Sequence, residues 1–90
     1  MANHKSALKR IKQNEKRRLR NRKFRKTART YVKQARTALD SGDIAAAREA
    51  TREAVRKLDQ VASKGIIHPK NAARRKSRLM KQLAQLEANS

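Results

Sequence analysis

Apolar residues recur along this chain at helical spacing, in three separate runs. In the first, Phe24, Ala28, Tyr31, Val32, Ala35 and Leu39 fall at i, i+4, i+7, i+8, i+11 and i+15, which traces one continuous helical face. A second run comprises Ala47, Ala50, Ala54, Val55, Leu58, Val61 and Ala62. A third comprises Ala72, Ala73, Leu79, Met80, Leu83 and Leu86. No window alternates with period two, so strands are not expected. Ahead of Phe24 the stripe thins to Leu8, Ile11 and Leu19.

The breaks between runs coincide with the only Gly and Pro residues. In Leu39-Asp40-Ser41-Gly42-Asp43, Gly42 suits the position just past a helix and Asp43 the N-cap of the next. In Lys64-Gly65-Ile66-Ile67-His68-Pro69, Gly65 suits a helix end with Ile66 folding back on Val61. Pro69 suits a first helical position, where its missing N–H has no helical partner to lose. The spacing predicts helices over about residues 5–40, 44–64 and 69–88. Short connections make neighbours antiparallel. The expected fold is all-α: one domain over residues 1–90, an up-down-up three-helix bundle with a long basic N-terminal helix. Residues 1–23 form an arm extending from that bundle. Much of the core is alanine, so helices approach closely but bury modest apolar area.

Composition sharpens the picture. The 90 residues include 26 Lys or Arg against 7 Asp or Glu, a net charge of +19. Residues 1–38 carry 15 bases and one acid, Glu15; residues 39–60 are near neutral; residues 61–90 are again basic. A chain of this size buries only about 60% of its unfolded surface. With self-repulsion added, its stable state is expected to need a polyanion. There is no cysteine, hence no disulfide framework and no Cys-based zinc site. Apolar runs are too short to span a membrane. The opening MANHKSALKR has no apolar h-region, so a secretory signal is not expected.

Lys5, Lys9, Lys12 and Lys16 follow one helical face, while Arg10, Arg17, Arg20, Arg22, Lys23, Arg25 and Lys26 fill most of the remaining circumference. A helix basic nearly all round suits a nucleic-acid crevice touched from several sides; a membrane-surface helix would need a wide apolar face. Arg74, Arg75, Arg78 and Lys81 form a second basic face on the third helix. Arginine supplies 14 of the 26 bases, and its planar fork gives bidentate phosphate contacts. No helix-turn-helix, zinc or basic-zipper pattern is present. Phe24 and Tyr31 share the core stripe and offer no single-strand platform. Structured RNA, held through phosphate, sugar and shape, fits best. Two alternatives stand beside it. One is a nucleoid-type DNA-binding protein. The other is a helical protein-interaction adaptor with a basic tail, whose only candidate groove is the alanine-rich face of the second helix.

Catalysis is not expected, and neither is a cofactor, a metal or a small-molecule substrate. His4 and His68 lie in different segments, and no nucleophile or Gly-rich loop joins Glu49 and Glu53. Glu53 with Lys57 and Glu49 with Arg52 read as surface ion pairs. His68, directly before Pro69, reads as a capping or RNA-contacting residue.

The opening MANHKSALKRIKQNEKRRLRNR, the hinge KGIIHPKNAARRKSRLMKQL and the overall length resemble the bacterial small-subunit ribosomal protein twenty family. The resemblance spans essentially the whole chain. Its most specific part surrounds Gly65, His68, Ala72-Ala73 and Lys76-Ser77-Arg78-Leu79. His4 and Leu8 depart from the family pattern, which has an aliphatic residue and a base there. The resemblance implies a three-helix bundle that binds small-subunit ribosomal RNA directly, in the cytoplasm, beside other small-subunit components and with no membrane role. By position it implies one RNA-contacting patch at Asn3, Lys5, Ser6, Lys9 and Arg10. It implies a second at Lys70, Asn71, Arg74, Arg75, Lys76, Ser77 and Arg78, with the two patches clamping separate RNA helices.

Overall fold

The computed structural model describes residues 2–89, and for residues 2–5 the backbone alone. Three helices follow one another: α1 (Ala2–Ser41), α2 (Ile44–Ser63) and α3 (Pro69–Ala88). No strand occurs among the described residues. The first helix begins a few residues earlier than the expected 5, where the sequence carries no capping signal. The other bounds fall within a residue of expectation.

Local chemistry accounts for both connections. Gly42 adopts φ +79° and Gly65 φ +75°, a region that costs a residue with a Cβ about 1–2 kcal/mol. At the end of α2, the Gly65 amide donates to the Ala62 carbonyl (3.0 Å) and the Ile66 amide to the Val61 carbonyl (2.9 Å). This is the Schellman pattern, and Ile66 packs in one apolar cluster with Val61 and Ala28. The Asp43 side chain accepts from the Ala46 amide (3.3 Å) and caps α2. His68 Nδ1 accepts from the Lys70 amide (3.1 Å) and caps α3, with Pro69 at its start. His68 therefore caps α3.

Both α1 and α3 pack mainly on α2 and meet each other less. The principal core joins Val32, Ala35 and Leu39 of α1, Ala47, Ala54 and Leu58 of α2, and Ala72 and Leu79 of α3. Ala73 and Met80, placed in the core by sequence pattern, face solvent instead; Met80 is 57% exposed. Each sits one residue, about 100° of helix rotation, beyond a buried neighbour, Ala72 or Leu79. With one principal partner, α3 buries only a narrow line. Thr51 is buried in α2 at 3% exposure, and its hydroxyl finds no hydrogen-bond partner.

The core stops at Phe24. Every described side chain from residue 6 to 20 is exposed, including Leu8, Ile11 and Leu19. The radius of gyration is 18.0 Å, against about 12 Å for a compact chain of this length. The 69 Å long axis reflects α1, which is twice as long as either partner helix.

Candidate nucleic-acid interface

The arm presents Ser6, Lys9, Arg10, Lys12, Lys16, Arg17 and Arg20, all exposed. Arg18, which sequence reasoning passed over, is exposed among them. Asn3 and Lys5 lie outside the described side chains. Further along, Arg22, Lys23, Arg25 and Lys26 are exposed where α1 enters the bundle. Among the described residues no ion pair engages any base of α1.

The second patch divides three ways around α3. Lys70, Arg74, Ser77 and Arg78 are exposed on its outer side. Lys76 turns to α2, where its Nζ donates to Asp59 Oδ1 at 2.6 Å. Asn71 and Arg75 turn toward α1, and Arg75 Nε donates to Asn71 Oδ1 at 2.9 Å. His68 is exposed at the head of the helix.

Between α1 and α3 lies an open cleft of about 320 Å³. Its cations are Arg25 and Arg29 of α1 and Arg75 of α3, its floor includes Leu58 of α2, and no carboxylate lines it. Arg25 Nη2 donates to the Ile66 carbonyl at 3.3 Å, tying α1 to the α2–α3 connection. So the first turns of α3 stand beside the middle of α1, although the two segments are some 45 residues apart in sequence. Arg29 was not singled out from sequence. Its signal was the i+4 spacing from Arg25.

Both aromatic rings are partly buried, and each carries a lysine ammonium. Lys64 Nζ stands 4.4 Å from the Phe24 ring centroid and Lys57 Nζ 5.2 Å from that of Tyr31, cation–π contacts made on α1 by the C-cap residue of α2 and by α2 itself. The expected Glu53–Lys57 pair is replaced, because Lys57 covers Tyr31 and Glu53 meets Arg56 at 3.7 Å. No ion pair joins Glu49 and Arg52 among the described residues. Arg48 reaches instead across to Glu87 of α3 at 2.7 Å. No group of three or more His, Cys, Asp or Glu among the described residues is placed to hold a metal ion. No described helix is long and apolar enough to cross a membrane.

Fold and surface together define a class: small, polycationic, three-helix proteins whose charge is carried on helix faces. The chain matches the family model described as ribosomal protein S20 over residues 2–84. It is 57% identical over 81 residues to the small ribosomal subunit protein bS20 of Geotalea uraniireducens, covering 90% of this chain and 93% of that relative. It is 50% identical over 88 residues to the proteins of the same name from Cutibacterium acnes and Shouchella clausii, covering 98% of this chain and all of each relative. The chain belongs to the ribosomal protein S20 family, a family of ribosomal structural proteins and not of enzymes.

Proposed function

We propose that this protein is a constituent of the small ribosomal subunit that binds small-subunit ribosomal RNA directly. The observation that carries this reading is the arm: residues 6–20 are exposed all round and carry seven bases against one acid, Glu15. Relatives named as small ribosomal subunit proteins over their full length support the same partner. The mechanism is charge neutralisation with shape fit. Guanidinium and ammonium groups replace the counterions of the RNA, and the rigid spacing of the helices sets which phosphates they reach. One surface is the arm, from Asn3 through Arg10 to Arg20. The other is the outer side of α3 with Lys70, Arg74, Ser77 and Arg78. Their separation is about 20–25 Å along α1, from Lys9 to the level of Arg25. Each would hold a different RNA helix and fix their relative placement.

Binding to small-subunit ribosomal RNA across a salt series tests this. Each neutralised phosphate contributes about −0.7 to −0.9 to the slope of log K against log salt. With roughly eight to twelve contacts, affinity falls by several decades between about 50 and 200 mM. A slope shallower than about −3, or equal competition by duplex DNA, would overturn the reading.

A further inference from the structure

We infer that the α1–α3 cleft is a binding site for a single RNA phosphodiester, shared by Arg25, Arg29 and Arg75. The inference deepens the RNA-binding reading above and rests on it. Three arginines line one cleft that no carboxylate lines. The acids of α2 and α3 that form ion pairs are engaged elsewhere: Asp59 with Lys76, Glu87 with Arg48 and Glu53 with Arg56. Three like charges around one opening repel one another, and an anion placed between them removes that penalty. Two of the three are oriented before any ligand arrives. Arg25 is held by the Ile66 carbonyl and Arg75 by the Asn71 side-chain oxygen, and each bond occupies one nitrogen while leaving the other N–H groups of the fork. Such preorganisation lowers the entropic cost of binding. The forks match the paired oxygens of a phosphodiester, which a lysine presents only as a point charge.

The site also has a structural consequence. Arg25 and Arg29 come from α1 and Arg75 from α3, two helices that lean chiefly on α2. A phosphodiester between them would bridge α1 to α3, making the bundle itself, and not only the arm, an RNA-reading element.

The salt dependence of binding to small-subunit ribosomal RNA distinguishes one shared phosphate from three separate ones. The proteins compared are the wild type, the single variants Arg25→Gln, Arg29→Gln and Arg75→Gln, and the triple variant. In each single variant the slope is expected to hold, because two guanidinium groups still neutralise the phosphate. In the triple variant it should become shallower by about 0.7–0.9, the worth of one phosphate. A triple change of about two or more would mean separate contacts and overturn the proposal. So would no change, or one single variant that accounts for all of it. A triple lysine variant provides the folding control: charge is kept and the forks are lost, so the slope should hold while affinity falls about tenfold. Unchanged affinity in that variant would also count against the site. Should the wild type itself show a slope shallower than about −3, the RNA-binding reading fails; a steep wild type with an unaltered triple variant sinks the cleft alone.

Discussion

Lys76 of α3 donates to Asp59 of α2 across the helix interface at 2.6 Å, with the lysine side chain 30% exposed. A base that the resemblance led one to expect on RNA is thereby turned toward its own protein. Its neighbours Arg74 and Arg78 are exposed, with no carboxylate in reach among the described residues. Lys76→Gln should therefore weaken RNA binding less than Arg74→Gln or Arg78→Gln, and leave the salt slope nearly unchanged. Its cost to stability should be that of a partly exposed pair, about 0.2–1 kcal/mol in urea unfolding. A slope change as large as that of Arg74→Gln would place Lys76 on RNA rather than on Asp59.

Thr51 offers a stabilising substitution. Its hydroxyl is buried in the core without a partner, whereas those of Thr27, Thr30 and Thr37 bond the carbonyl four residues back. Val has the same branched shape without the polar atom. Thr51→Val should raise the free energy of unfolding by about 1 kcal/mol, seen as a higher urea midpoint at constant m. A lower midpoint would show that the hydroxyl is satisfied in solution.

Gly65 is a conformational requirement and not a packing one. A Cβ built there meets nothing within 4 Å, yet φ is +75°. Gly65→Ala should cost about 1 kcal/mol of stability. Asn, which tolerates this region better, should cost less. Equal losses would point to a different origin.

The arm should be helical only marginally before RNA binds. It makes no described tertiary contact through side chains 6–20, and its bases repel along one rod. Amide exchange of the free protein in low salt should be rapid for residues 6–20 and slow for Ala28, Leu58 and Leu79. Strong protection of the arm would contradict this.

Two basic surfaces on different elements should be separately necessary. Lys5, Lys9 and Arg10 changed together to Gln remove one; Lys70, Arg74 and Arg78 changed to Gln remove the other. Gln has a helix propensity close to that of Lys and Arg, so the bundle should survive both. Each set should make the salt slope shallower by about two to three units and lose footprint at a different RNA helix. Uniform weakening of one footprint by both sets would refute the two-surface clamp.

What the sequence determined by itself is local. Helix bounds other than the start of α1, the turns at Gly42 and Gly65, the Val61–Ile66 closure and the His68 cap were all legible. Each depends on residues within about six positions of one another, where propensity, capping and backbone sterics act without reference to the rest of the chain. The density of charge before Phe24 was equally plain, being composition. Tertiary structure alone decided how each helix is rotated about its axis and which neighbour it meets. That rotation carried Ala73 and Met80 out of the core, whereas Thr51, in helical register with Ala47, Ala54 and Leu58, is buried along with them. It turned Lys57 to Tyr31 instead of Glu53, and Lys76 to Asp59 instead of outward. It also brought Arg75 beside Arg25 and Arg29 in one cleft, across a chain separation that no periodicity reports. Propensity is indifferent to which face of a polar helix is covered; packing against α2 chooses it, by burying the most apolar area the three helices share.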